Sequence, residues 1–165
     1  MNAQQLLDYI IKPTLEYMSG NYNSKNAQML LLATAAIESK CGYYIKQING
    51  PALGVWQMEP DTHGDINMNC DALHDDFGGM RKKQDDLYMN YNLIEGVSGV
   101  LNNPMYSCLM ARLKYSMDKA PLPQYDDMIA IYDYYKRIYN TPQGASTFDK
   151  FESEWFECEL DKIML

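Results

Sequence analysis

The sequence predicts a single, mainly α domain over residues 1–165, with a central buried helix and a loop-rich segment that forms a cleft. Three observations predict this fold class. Apolar residues recur at steps of three and four along most of the chain, which is the period of a helix. Pro and Gly gather between residues 42 and 66, and no alternating pair of strands stands out. The length of 165 residues suits one domain.

Two helices are predicted ahead of the loop-rich segment. The apolar positions of the first are Leu6, Leu7, Ile10, Ile11, Leu15 and Met18. Pro13 is expected to kink or interrupt this helix, because proline lacks a backbone N–H. The second helix is expected over about residues 25–39, with Ser24 as a candidate N-cap and Gly42 as a candidate stop. Its side chains are apolar almost all round, which is typical of a helix in the middle of a domain.

Residues 42–66 are expected to form loops and short turns. The residues that break regular structure there are Gly42, Gly50, Pro51, Gly54, Pro60 and Gly64. Such a density argues against long elements, although a small hairpin over residues 43–55 is compatible with it.

Helices are predicted again in the second half of the chain. Asn103 followed by Pro104 is a cap and first-turn signature for a helix that carries Tyr106, Leu109, Met110 and Leu113. After the segment "APLPQ" at residues 120–124, a further helix has apolar positions at Met128, Ile129, Ile131, Tyr132, Tyr135 and Ile138. Ser146, with Asp149 three residues on, resembles a capping box before a last helix.

Charge and composition argue against several classes of function. Lys and Arg number 14 against 22 Asp and Glu, so the formal net charge is -8, and the longest basic run is "RKK" at residues 81–83. Nucleic acid is therefore not an expected partner, because phosphate binding needs a clustered positive surface. The four cysteines form no CxxC pair and the two histidines no recognised ligand spacing, so no disulfide framework, metal or cofactor is expected.

The amino terminus shows no pattern of a Sec-type signal, with neither a basic start nor a small-residue cleavage site. The longest apolar-rich run, around residues 27–37, is too short to span a bilayer. We therefore expect synthesis in the cytoplasm and no insertion into a membrane.

Glu38 stands at the end of an almost wholly apolar run, where a carboxylate needs an explanation. Either it meets water at the helix end, or it is held in a cleft for chemistry. In the second case apolar walls disfavour the charged form and raise the pKa of the carboxyl, and the carboxyl end of the helix dipole acts in the same direction. A carboxyl that keeps its proton near neutral pH can act as a general acid.

The residues after Glu38-Ser39 form a second pattern, "PALGVWQMEPDT" at residues 51–62. The pair and this pattern resemble the lysozyme-like superfamily, specifically the group of soluble lytic transglycosylases and goose-type lysozymes. That group has Glu-Ser at a helix end and then Gly-Ala-x-Gly-(Leu/Val/Ile)-(Met/Trp)-Gln-(Ile/Met)-x-Pro-x-Thr. This sequence departs from the pattern only in its first place, where it has Pro51.

The resemblance implies a lysozyme-like fold that cleaves peptidoglycan, with the glycan strand as substrate and partner. Glu38 would be the catalytic acid, and Gln57 would face the sugar cleft. Gly54 would let the backbone come close to the substrate. Trp56 would either stack on a sugar or anchor the loop in the core, and Ser39 would either orient Glu38 or simply end the helix.

A tyrosine and an asparagine near the end of the chain complete the implied site. The family often has a later Tyr-Asn dipeptide whose tyrosine reaches the cleft, and Tyr139-Asn140 is the counterpart here, although the small residue usual before that tyrosine is absent. The surrounding stretch "YYKRIYNTPQGAST" resembles proteins encoded by bacteriophages. Such a protein would have phage virion or lysis proteins as partners and would act on peptidoglycan in the periplasm or cell wall, or be packaged in a virion.

The mechanism depends on whether a second carboxylate takes part. Inverting hydrolysis by a muramidase needs a base that activates water, for which Glu59, Asp61 and Asp65 are candidates. With Glu38 alone the enzyme would be a lytic transglycosylase that leaves anhydro-muramic ends, and this alternative is favoured because Glu59 and Asp61 occupy variable places of the motif. A virion structural or adaptor protein with the same fold and no activity is the alternative from another class.

Overall fold

The structure of the protein is a computed structural model that describes residues 1–75, 79–89, 101–141 and 144–165, so Pro142 and Gln143 of the C-terminal stretch lie outside it. The described residues are mainly helical, which confirms the predicted class. None of the described helices is long and apolar enough to cross a membrane.

The first helix, α1, is continuous over the α segment Ala3–Leu6, the π turn Leu7–Ile11 and the α segment Lys12–Met18. The Lys12 N–H donates to the carbonyl of Leu7, five residues earlier, as a π turn requires. Pro13 then falls in the first turn of the segment that follows. The irregularity expected around Pro13 is therefore a π turn, and the helix continues beyond it.

The central helix, α2, spans Lys25–Ser39, as predicted. The Ser24 hydroxyl accepts a hydrogen bond from the Ala27 N–H at 3.1 Å, which confirms the N-cap. Twelve of its fifteen residues are buried, so α2 lies in the hydrophobic core. It ends at a left-handed Lys40 with φ of 50°, two residues before the glycine expected to stop it.

The prediction of loops up to residue 66 was wrong from residue 60 onward. Helix α3 spans Pro60–Asn69, and the short α4 spans Asp71–His74. Pro60 begins α3, where a missing N–H breaks no intrahelical bond. Gly64 lies inside α3 at a cost of about 1 kcal/mol relative to alanine, while burial of Ile66 holds the helix on the core.

Three helices of the second half agree with the sequence pattern: α6 at Pro104–Ser116, α7 at Met128–Tyr135 continued by the π turn Lys136–Asn140, and α8 at Phe148–Glu157. Helix α5 at Met80–Met89 was not predicted, and short 3-10 turns occupy Gly20–Tyr22 and Leu160–Lys162. Asn103 caps α6 as predicted, accepting from the Met105 N–H at 3.0 Å. The cap of α8 is Thr147 rather than Ser146, because Thr147 Oγ1 accepts from the Lys150 N–H.

The loop between α2 and α3 folds back on itself with little regular pairing. The described residues show isolated bridges there, between Lys46 and Leu53 and between Leu53 and Met58. The hairpin considered for residues 43–55 is thus reduced to single bridges. The loop and the C-terminal helices enclose the end of α2, where Lys40 forms an ion pair with Glu154 of α8 at 3.2 Å.

Candidate active site

A cleft of about 550 Å³ opens beside the C-terminal end of α2. Its walls come from the end of α2, the following loop, the start of α3, and the chain that joins α7 to α8. Five of the candidate site residues from the sequence line this cleft: Glu38, Gln57, Glu59, Tyr139 and Asn140. The volume lies in the range of sites that bind small molecules or short segments of a polymer.

Glu38 is half-buried in the wall of the cleft, and the pKa of its carboxyl is raised. Burial raises its pKa, and the negative charge of Glu59 acts in the same direction. A hydrogen bond from Tyr135 and the positive charge of Lys150 oppose these effects, yet the pKa remains above its ordinary value. The group is therefore suited to give up a proton in the cleft and to take it back.

Tyr135 lines the cleft, but the sequence interpretation did not identify it as functional. Its hydroxyl donates to Glu38 Oε1 at 2.7 Å and fixes the direction of the carboxyl. Burial and the nearby Glu38 both raise the pKa of this phenol, so it stays protonated and remains a donor. The available signal was the step of four residues between Tyr135 and Tyr139, which places both side chains on one face of a helix.

Replacing Tyr135 by phenylalanine is expected to raise the pKa of Glu38 further. The hydroxyl stabilises the charged carboxylate, so its removal favours the protonated form. An NMR titration of the Glu38 carboxyl measures the shift directly. Tyr132→Phe is the matched control, because Tyr132 lies on the same helix and packs against Phe148 and Phe151 without lining the cleft. Identical titration midpoints in the two variants would show that Tyr135 does not act on Glu38.

Gln57 reaches the cleft from a strained position in the loop. Its φ is 44°, a left-handed conformation that is uncommon for residues other than glycine. The side-chain nitrogen donates to the Gly54 carbonyl at 2.8 Å, which fixes the amide. The side-chain oxygen has no hydrogen-bond partner within the described ranges, so Gln57 offers an acceptor to a ligand.

Tyr139 and Asn140 close the side of the cleft formed by the π turn of α7. The Tyr139 hydroxyl donates to the Trp56 carbonyl at 2.8 Å, which ties α7 to the loop. Asn140 Oδ1 accepts from the Lys136 ammonium at 2.7 Å, which turns the amide oxygen away from a ligand role. The Asn140 amide nitrogen has no partner among the residues that the structure describes, so it is the part of this side chain left for a ligand.

Trp56 and Ser39 support the site from behind. Trp56 is 0% exposed and its indole donates to the Leu31 carbonyl at 2.9 Å, so it anchors the loop in the core and does not reach the cleft. Ser39 Oγ hydrogen-bonds the Val55 carbonyl and accepts from the Gly42 N–H, so it ends the helix and holds the loop. Ser39 Oγ makes no hydrogen bond to the Glu38 carboxyl.

Gly54 approaches the protein interior and not a ligand. With φ of 76°, a Cβ at this position would lie 2.1 Å from the Leu101 carbonyl oxygen and 2.9 Å from Ser107 Oγ. Gly54 is buried and does not line the cleft. The expectation that it lets the backbone approach a substrate is therefore corrected: it lets the loop pack against the chain just before α6.

The three acids considered as a second carboxylate differ in their relation to the cleft. Glu59 is exposed and lines the cleft, and its charge acts on Glu38. Asp61 is exposed and Asp65 pairs with Lys114 at 3.5 Å, and neither lines the cleft. No group of three or more His, Cys, Asp or Glu side chains in the described part of the chain is placed to hold a metal ion.

Comparison of the chain with protein-family models, with curated proteins and with solved structures found no match. The chemistry of the cleft must therefore be inferred from its geometry and from the motif at residues 38–62. Both indicate Glu38 as the central residue, because its carboxyl has a raised pKa and because it begins the motif.

Proposed function

We propose that the protein is a peptidoglycan-cleaving glycosidase that acts on the bond between N-acetylmuramic acid and N-acetylglucosamine. The observation that carries this proposal is Glu38, a half-buried carboxyl with a raised pKa, oriented by Tyr135 in an open cleft. A lysozyme-like fold is part of the proposal, supported by the motif at residues 38–62. The glycan strand in the periplasm or cell wall would be the substrate.

In the first step Glu38 is the general acid. Its proton goes to the glycosidic oxygen as the bond from that oxygen to the anomeric carbon breaks, so the leaving sugar departs as an alcohol. The N-acetyl group of the muramic residue stabilises the positive charge that develops at the anomeric carbon. Tyr135 stabilises the carboxylate that remains, because its hydrogen bond favours the charged form of Glu38.

In the second step Glu38 is the general base. The carboxylate takes the proton of the sugar's own primary hydroxyl, and that oxygen bonds to the anomeric carbon. The product is an anhydro-muramic end, no water is consumed, and Glu38 is again protonated. One carboxyl therefore completes the cycle of a lytic transglycosylase, which is the activity that we favour.

Glu59 supports a second candidate, a hydrolytic muramidase. It is the one of the three candidate acids that lines the cleft with Glu38. An inverting enzyme uses such a carboxylate, roughly 6.5 to 9.5 Å from the acid, to activate water on the far side of the sugar. The product would then be a reducing end that carries an oxygen atom from water.

Glu59→Gln separates the two candidates. We expect the variant to keep activity within about threefold of the wild type, because the single-carboxyl cycle does not use Glu59. Digestion in water enriched in heavy oxygen, followed by mass spectrometry, is expected to show no label in the new ends. Asp61→Asn is the matched control, an exposed acid outside the cleft. Loss of about a hundredfold in Glu59→Gln alone, with label in the wild-type products, would establish the muramidase instead.

A further inference from the structure

The start of α8 forms a positively charged corner of the cleft. Lys150, in the first turn of α8, lines the cleft and lies close enough to lower the pKa of Glu38. The Lys150 side chain has no ion-pair partner among the described residues, whereas Lys114, the other lysine that lines the cleft, pairs with Asp65. In a chain of net charge -8, the ammonium of Lys150 is thus available to a ligand.

The backbone at this corner favours negative charge as well. Helix α8 has ten residues, and the N–H groups of its first turn point out of its N-terminal end. Thr147 Oγ1 accepts from one of them, the Lys150 N–H at 3.3 Å. The Phe148 and Asp149 amides have no acceptor among the described residues. Neither Phe148 nor Asp149 lines the cleft, so the end of α8 acts on a ligand through the helix dipole and not through direct hydrogen bonds, and the Asp149 carboxylate in this turn opposes part of that effect.

Ser146 gives a second and independent indication of a ligand. It is only 8% exposed, it lines the same wall of the cleft, and its Oγ makes no hydrogen bond. The hydroxyl lies near Tyr135, whose pKa it lowers, but without the geometry of a hydrogen bond. Buried hydroxyls in native proteins nearly always have a partner, so an unpaired hydroxyl in the wall of a cleft points to a ligand that supplies one.

We infer that Lys150 and Ser146, beside the N-terminal end of α8, form a subsite for a carboxylate carried by the substrate. This inference rests on the proposed function, because the ligand is a substituent of the glycan strand. A peptidoglycan strand offers carboxylates from the lactyl group of a peptide-free muramic residue or from the stem peptide. A strand made only of N-acetylglucosamine offers none. The subsite therefore makes the cleft selective for carboxylate-bearing strands over neutral strands of equal length.

A single carboxylate fits this corner better than a more highly charged anion. It can accept a hydrogen bond from the Ser146 hydroxyl while it neutralises Lys150, and the dipole of α8 favours its negative charge. Two other carboxyl groups, those of Glu38 and Glu59, line the same cleft. Their negative charge repels a ligand that carries several negative charges.

Binding of oligosaccharides to the full chain, measured by calorimetry, tests the inference. Every protein used carries Glu38→Gln, so that the ligand is not cleaved, and this single variant is the background. The probes are three tetrasaccharides: one with stem peptides, one with free lactyl carboxylates, and neutral tetra-N-acetylchitotetraose. We expect at least one carboxylate-bearing probe to bind about fivefold more tightly than the neutral one, and the better of the two identifies the source of the carboxylate. Adding Lys150→Gln is expected to remove this preference, and Ser146→Ala to reduce it about twofold.

Lys82→Gln is the matched control, because it removes the same charge from an exposed lysine that does not line the cleft. Its binding preference is expected to match that of the background. Equal binding of all three probes, or a preference that survives Lys150→Gln, overturns the subsite while leaving a sugar-binding cleft and the proposed function in place. Failure of every probe to bind overturns the proposed function, and the subsite with it.

Discussion

Replacing Glu38 by glutamine is expected to abolish cleavage of peptidoglycan and, at neutral pH, to make the protein more stable. The loss of activity follows because the N–H protons of an amide are not acidic enough to be transferred to the glycosidic oxygen. General acid and base catalysis contributes about 100-fold to 10,000-fold, and here one group serves in both steps, so we expect a loss of at least about a thousandfold. The amide oxygen of the new side chain can still accept the hydrogen bond from Tyr135, so the cleft should keep its shape.

The gain in stability follows from the raised pKa of Glu38. Between the ordinary pKa of a glutamate and the raised pKa of the folded state, the folded protein holds a proton that the unfolded chain has lost. Stability of the wild type therefore falls as the pH rises through this window, and the full penalty remains above it. Glutamine does not titrate, so the variant is expected to have the higher melting temperature at pH 7 and to lose this advantage below about pH 4.

Thermal denaturation of the two proteins at several pH values, paired with an assay of muropeptide release, measures both effects. Glu152→Gln is the control for the chemical change, because Glu152 is an exposed glutamate of α8 that does not line the cleft. It should leave activity and stability as they are. A folded Glu38→Gln variant with wild-type activity would remove Glu38 from the mechanism.

Replacing Gly54 by alanine is expected to destabilise the fold by about 3 kcal/mol or more, the largest effect on stability that we predict. The new methyl group would lie 2.1 Å from the Leu101 carbonyl oxygen. Neither atom can turn aside, because the methyl carbon is bonded directly to Cα and the oxygen belongs to the backbone. The φ of 76° adds strain for any residue with a Cβ. Because the same loop carries Gln57, the displaced loop should also lose activity.

Gly20→Ala separates the two causes. Gly20 also has a positive φ, of 58°, but a Cβ there meets nothing within 4 Å. We expect this variant to lose only about 1 to 2 kcal/mol, which is the backbone strain alone. Urea denaturation of both variants gives the difference, which is the cost of the contact with Leu101. Equal losses for Gly54→Ala and Gly20→Ala would show that the loop does not pack tightly on that segment.

The central helix was predictable because its signals are local. An almost wholly apolar run indicates that α2 is buried, and a serine cap indicates where it begins. The start of α3 was missed because Pro60 and Gly64 were counted as breakers. A proline is favourable in the first turn of a helix, and a single glycine inside a helix is tolerated when the helix packs on a core.

The candidate site was predictable only in part, because a motif gives residue types and not the directions in which they point. Glu38 and Gln57 line the cleft, whereas Trp56, Ser39 and Gly54 face inward and build the loop that presents Gln57. The hydrogen bond that orients Glu38 joins residues 97 positions apart. No local pattern predicts a contact of that kind, since it depends on how α7 packs against the end of α2.

The most direct test of the proposed function is the digestion of purified peptidoglycan by the wild-type protein and by Glu38→Gln, with mass spectrometry of the released fragments. Circular dichroism of both proteins shows whether each is folded. We expect the wild type alone to release muropeptides with anhydro-muramic ends, lighter by one water molecule than the products of hydrolysis. If the folded wild type releases no fragments, the cleft around Glu38 is not the active site of a peptidoglycan-cleaving enzyme.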